Sequence, residues 1–213
     1  CYNQMLQWNT TTFSWIGMSS ITSDDVDKGS DPGDLGTDKD QMDNLTYSST
    51  SLSVAEVWQG NFNGVSRCNQ AIYNVPLFDI SDALKDRLIA EAKFLRAYLY
   101  FNLVRCYGDV PLVDGKIDPD VPADIEEASV RAPKDAIYDF IEQDLTEAMN
   151  VLPIRNEYSD ADIGRATKGA AMGLLAKVMM YRSKWQDVLQ LTDQIIAGQA
   201  GTYALVEDYA TIW

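Results

Sequence analysis

The sequence predicts an all-α fold, a stack of tetratricopeptide-type helical hairpins with long irregular loops. Three observations lead there. The stretch 87–113, RLIAEAKFLRAYLYFNLVRCYGDVPLV, opens as a helix with two apolar stripes. Leu88, Ala92, Leu95, Leu99, Leu103 and Cys106 form one; Ala90, Phe94, Ala97, Phe101 and Val104 form the other. A helix apolar on two sides is packed from two sides, in the middle of a helical layer. Further along, segments 166–182 and 185–198 read as two helices with almost nothing between them, the pattern of a helical-repeat hairpin. Finally, no segment shows strong strand alternation, apart from short pieces near 110–113 and 203–206.

Taken in order, residues 1–20 read as a helix with a broken apolar face on Met5, Trp8, Trp15 and Ile16, weakened by Thr10 to Thr12. Residues 22–51 carry eight aspartates between Asp24 and Asp43, against Lys28 and Lys39. Gly29, Pro32, Gly33 and Gly36 punctuate this segment, so it reads as an Asp-rich surface loop. Its length, roughly thirty residues, far exceeds the usual four to six, and such loops are functional or disordered. A second helix, 53–74, places Val54, Trp58, Phe62, Val65, Asn69 and Ile72 on one face, with Ser51 or Ser53 as N-cap. Asp79, Ser81 and Asp82 offer caps for the central helix, which Gly108 and Pro111 terminate. Residues 114–133 are expected to be irregular, with Pro119, Pro122 and Pro133. A fourth helix, 134–152, uses Ala136, Ile137, Phe140, Ile141, Leu145 and Met149 and stops at Pro153. It pairs with the central helix as an earlier hairpin. The last hairpin is expected to cross on Gly169, Ala170 and Gly173, with Leu174, Val178 and Tyr181 beyond them and Val188, Leu191, Ile195 and Ile196 opposite.

Composition bounds the function. The 213 residues suffice for one domain with a substantial core, and no apolar run approaches the ~20 residues of a membrane span. No basic-then-apolar leader opens the chain, as in a mature or excised sequence. The net charge of −15, from 17 basic and 32 acidic residues, argues against nucleic acid and against charge-driven binding to anionic lipid. The absence of histidine removes Ser-His-Asp and Cys-His nucleophile systems and imidazole zinc sites. Cys1, Cys68 and Cys106 are too few and scattered for a disulfide framework, and the latter two read as buried thiols. No cofactor is implied.

Each candidate for chemistry has a plainer reading. The spacing Asp25-x-Asp27-x-Gly29-x-Asp31 is that by which a calcium loop gathers oxygens, but the distal glutamate is missing and Gly29 stands where a ligand belongs. The segment reads first as a solvated acidic loop, next as a surface touching a glycan or partner, and last as a calcium site. Carboxylates and amides suit sugar hydroxyls. The pairs Asp24/Asp25, Glu126/Glu127 and Asp160/Asp162 could serve a glycosidase, yet no apolar wall in the sequence would raise a pKa there. Trp8, Trp15, Trp58 and Trp185 read as core, Trp213 has no assignment, and Tyr47 is the aromatic expected to be free. Tyr98, Tyr100 and Tyr107 are expected to pack with their hydroxyls paired. Glu91, Lys93, Arg96 and Arg105 read as ion pairs that fix helix register, Glu91 lying one turn from Arg87.

Segments EAKFLRAYLYFNLVRCYGDVPLV, SDDVDKGSDPGD, Trp58 through Asn69, and GRATKGAAMGLLAKVMMYRSKW leading into YALVEDYATIW closely resemble the SusD/RagB family. The resemblance implies a scaffold of helical hairpins and a surface lipoprotein on the extracellular face of the outer membrane. It implies non-catalytic binding of an oligosaccharide or polysaccharide and delivery to a TonB-dependent, SusC-like transporter. Family members run to about twice this length or more, so the chain resembles the N-terminal half of one. Cys1 begins CYNQMLQW, which looks like interior first-helix sequence and not a lipid-anchor segment. The family shares little residue-level pattern for its ligands. The acidic loop supplies the candidate contacts: Asp24, Asp25, Lys28, Asp31 and Tyr47. Two other readings stand beside this one: a scaffold that binds only a protein partner, and a carboxylate glycosidase.

Overall fold

The computed structural model describes residues 1–29, 31, 36–115, 117–118 and 120–212, without the side chain of Glu127. Trp213, Asp34 and the Glu127 half of one carboxylate pair therefore lie outside the described residues. The fold is helical: α1 (Tyr2–Met5), α2 (Phe13–Ile16) running into a wide turn over Gly17–Ile21, α3 (Thr37–Asp43), α4 (Leu52–Asn74), α5 (Asp82–Tyr107), α6 (Pro122–Ser129), α7 (Lys134–Val151), α8 (Lys168–Tyr181) and α9 (Trp185–Ile196). Two short strands, β1 (Val110–Pro111) and β2 (Arg131–Ala132), pair antiparallel. The long helices pack serially: α4 on α5, α5 on α7, α7 on α8, α8 on α9.

The two-striped helix is the spine. Every residue from Leu99 to Val104 is buried, because α4 covers one side of α5 and α7 the other. The Ser81 hydroxyl accepts from the Leu84 amide and caps its start. At its end Gly108 takes φ +69°, which reverses the chain into β1.

Arg96, 4% exposed, is the polar centre of this packing. Its Nε and Nη2 each donate at 2.8 Å to the Asp144 carboxylate on α7. Its Nη1 donates to Asn69 Oδ1 on α4 (2.6 Å) and to the Asp114 carbonyl (2.9 Å). The amide of Asn69 in turn donates to the Val113 and Gly115 carbonyls, and the Tyr100 hydroxyl accepts from the Val113 amide. One guanidinium thus joins three helices to the loop after the glycine. Glu91, also buried, pairs with Arg165 at 2.9 Å and approaches Arg87 at 3.6 Å, so the one-turn Arg87–Glu91 pair expected on this helix forms.

Several expectations are corrected. Residues 1–20 are not one helix: turns over 6–12 separate α1 from α2. The Thr11 and Thr12 hydroxyls bond nearby backbone carbonyls, the local competition that breaks helices. The wall of α4 is glycine where this segment docks; a Cβ on Gly60 would stand 2.2 Å from the Asn9 carbonyl oxygen. The acidic segment is not wholly irregular, since it contains α3. Asp38 and Asp40 in its first turn favour the helix N-terminus, and Met42 is fully buried. Residues 114–133 contain α6, with Pro122 at its first position, where the missing N–H costs nothing. Residues 203–206 form no strand. Ala170 and Gly173 are exposed; α8 buries Ala171, Met172, Leu175, Ala176 and Val178 instead. Trp8 and Trp185 are each 60% exposed and not core; Trp8 stacks on Phe13 with centroids 4.3 Å apart.

α3 is tied to the start of α4 by Asp38. Its carboxylate accepts from the Ser53 amide at 3.0 Å, from the Ser53 hydroxyl, and from the Lys39 ammonium at 2.9 Å. Burial pushes Asp38 up, but these donors outweigh it and hold the carboxyl below the usual range. A depressed folded-state pKa stabilises fully above the unfolded value, and the gain is lost as pH falls through the folded value.

Two predictions follow from these contacts. Asp144→Leu leaves the Arg96 charge buried and unpaired and costs about 3–5 kcal/mol, while Arg96→Met/Asp144→Leu recovers part of it; urea unfolding of both variants checks this. Asp38→Asn costs about 1–3 kcal/mol at neutral pH. Its deficit against the parent narrows as pH drops below about 4, the unfolded value of an aspartate; unfolding curves from pH 7 down to pH 3 measure it.

Candidate functional site

The C-terminal end of α5, the start of α7 and the α8–α9 turn meet at one end of the stack. Ser183 makes that last turn tight by adopting φ +56°. The α2 segment closes the remaining side. Between them lies a cavity of about 930 Å³ lined by Trp15, Arg105, Lys134, Tyr138, Tyr181 and Lys184, among others. A second cavity of about 290 Å³, bordered by Thr22, Met42, Tyr47 and Tyr107, shares Met18, Arg105 and Cys106 with the first. Together they form one groove running from the α8–α9 turn to the end of the acidic segment.

Arg105 stands at the junction. Its Nε donates to the Phe101 carbonyl at 3.0 Å and its Nη2 to Asn102 Oδ1 at 2.7 Å. The guanidinium carbon lies 4.2 Å from the Phe101 ring centroid, 5.6 Å from Trp15 and 5.8 Å from Tyr181. These contacts fix the plane of the group within an aromatic setting. Tyr107 donates its hydroxyl to the Val54 carbonyl at 2.7 Å, and burial raises its pKa, so it is a neutral wall. The Cys106 thiol is pushed up by burial, partly opposed by Arg105. Aromatic faces beside fixed donors offer stacking for a ring and hydrogen bonds for its hydroxyls. They hold no activated nucleophile.

Of the residues singled out in the acidic segment, Tyr47 alone borders this groove; it is 46% exposed. Asp24, Asp25 and Asp31 are exposed, and Lys28 pairs with Asp40 at 2.8 Å. The spacing Asp25, Asp27, Asp31 does not gather a cage: among the described residues no three acidic, cysteine or histidine side chains are clustered to hold a metal ion. The sequence pointed elsewhere for Trp15, read as core, and for Arg105, read as a register ion pair; Arg105 pairs with no carboxylate among the described residues. Tyr138, Lys134 and Arg182 drew no notice. The one available signal was the helix end itself, where Arg105 precedes Gly108 by three residues. Trp58 is also less enclosed than expected. It borders a separate cavity of about 650 Å³ with Phe62, Val65, Pro111 and Val113, and Arg131 stacks on its ring at 5.2 Å. That wall is mainly apolar, and the amide of Asn69 there is spent on backbone carbonyls.

Cys68 is fully buried with its thiol pushed up to about 12, and Cys1, half-buried, donates its thiol to the Arg67 carbonyl at 3.5 Å.

The long helices thus form a stack of hairpins with an aromatic groove at one end. Residues 22–180 match a SusD-like family described as starch-binding and associating with the outer membrane, and the chain belongs to that family. It is 29% identical over 174 residues to a SusD-like protein of Formosa agariphila, covering 80% of this chain and 33% of that one. A SusD-like protein of Bacteroides ovatus is 33% identical over 152 residues, covering 67% and 26%. A solved laminarin-binding SusD-like protein superposes with a TM-score of 0.72 at 31% identity, covering 82% of this chain and 37% of that one. The chain thus spans about a quarter to a third of the length of the curated relatives it matches.

The groove predicts a reporter. Cys106, its thiolate disfavoured, reacts with a thiol reagent at neutral pH at least about tenfold more slowly than an exposed cysteine. A ligand seated in the groove slows it further. Time-resolved labelling read by peptide mass spectrometry measures both effects.

Proposed function

We propose that this chain is part of a longer, non-catalytic surface protein that binds an oligosaccharide and delivers it to a TonB-dependent outer-membrane transporter. The observation that carries the reading is the groove: Trp15, Tyr138, Tyr181 and Tyr47 along one path with Arg105 at its middle, in a SusD-like fold. The laminarin-binding relative supports a glycan as ligand. The family's association with the outer membrane supports a place there, and we propose the extracellular face. Among the described residues no helix is long and apolar enough to cross a membrane; we propose attachment through a lipid anchor, as the family resemblance implies. Asp24, Asp25, Lys28 and Asp31, close in sequence to Thr22 at the groove's edge, are proposed as outer contacts beside Tyr47.

Against a glycosidase, Asp24, Asp25 and Asp160 are exposed, and the Asp162 carboxyl is held low by Arg165 and Arg87. Hydrolysis needs one carboxyl kept protonated near a second. A scaffold for a protein partner alone has one observation in its favour: Trp185, Leu189 and Ile196 on α9 are exposed.

A glycan array on the intact protein tests the proposal, with binding and no release of products as the expected result. Tyr47→Ala and Trp15→Ala each weaken binding by about three- to tenfold, the worth of a stacking contact. Binding to no glycan, with co-purification of a membrane barrel, would favour the scaffold. Turnover abolished by Asp24→Asn or Asp25→Asn would restore the enzyme.

A further inference from the structure

The groove gathers cations in a strongly acidic chain. The protein carries −15 overall. Yet the larger cavity is lined by Arg105, Lys134, Arg182 and Lys184 against one carboxylate, Asp135. Arg182 and Lys184 share Glu142, and Arg182 also meets Asp139. Counting those two carboxylates with Asp135, and with Asp109, whose carboxylate accepts from the Lys134 amide at 2.8 Å, four positive charges face four negative ones, in a chain where acids outnumber bases 32 to 17. Among the described residues the Arg105 guanidinium and the Lys134 ammonium form no ion pair; the Asp109 carboxylate is taken by the Lys134 amide. The contacts of Arg105 occupy Nε and Nη2 and leave Nη1 without an acceptor among those residues.

Two cations without counter-ions in an aromatic-walled groove are poorly matched to a neutral ligand. Aromatic walls lower the local dielectric, so a charge seated there interacts more strongly than in water. A guanidinium whose plane is already fixed loses little entropy on meeting an oxyanion, and its geometry suits carboxylate and sulfate alike.

Resting on the glycan-binding reading above, we infer that the groove selects a sugar carrying a carboxylate or sulfate group. Arg105 and Lys134 meet the anion, and Trp15, Tyr138 and Tyr181 pack against the ring. Asp135 opposes the anion, or accepts from a neighbouring sugar hydroxyl.

The test is calorimetry on the intact protein with matched probes. One pair is oligogalacturonate and its methyl ester, which differ only in the carboxylate charge. The other is a sulfated carrageenan oligosaccharide and its desulfated form. Laminarin oligosaccharide serves as a neutral reference. The expected result is a preference of at least about tenfold for the charged member of one pair, which also tells carboxylate from sulfate. Lys134→Met, a change at an exposed side chain, reduces that preference by about three- to tenfold. Equal affinity within both pairs, or a preference that survives both Lys134→Met and Lys134→Glu, overturns the inference while the glycan reading stands. Binding to none of the five probes overturns the inference, and silence across the wider array as well removes the glycan reading too.

Discussion

The structure depends on one buried ion pair. Arg96 is held by Asp144 from α7, Asn69 from α4 and the carbonyl of Asp114. Two charges taken out of water are costly, and the cost is offset only where every donor and acceptor finds a partner. Here all three guanidinium nitrogens donate. The pair does more than join helices: Asn69 and Tyr100 hold the chain at 113–115, so the loop after Gly108 leaves the helix in one direction only. That direction sets β1 against β2 and brings α7 back antiparallel to α5.

The antiparallel return is what builds the groove. It places the end of α5 beside the start of α7 and the end of α8, and Arg105, Tyr138 and Tyr181 come together from residues 33 or more apart. Gly60 permits the opposite closure, since the close approach of residues 9–10 to α4 leaves α2 across the groove's far side. The result has stiff aromatic walls and a guanidinium whose orientation is fixed before any ligand arrives. Preorganisation of this kind reduces the entropy lost on binding.

The long helices were legible because their apolar spacing is dense. The boundaries of α4, α5, α7, α8 and α9 fall within two residues of those read from periodicity and from Ser81, Gly108, Pro153 and Gly198. The short ones were hidden. α3 offers Met42 as its one buried apolar residue, and α6 follows a run of proline and aspartate, so neither shows a stripe. The tryptophans misled for the converse reason: Trp8 and Trp185 have helical spacing to other apolar residues but remain mostly exposed.

Of the groove, the sequence marked Tyr47 and little else. Local pattern reports which face of a helix is apolar, because that face is dictated by residues three and four apart. It therefore determined the helical stack, its spine and the family resemblance carried by that spine. It does not report which helix ends meet. Whether Arg105 finds a carboxylate or an aromatic cage is decided by Trp15 and Tyr181, contributed from distant segments, and only the packed chain brings them within 6 Å of its guanidinium.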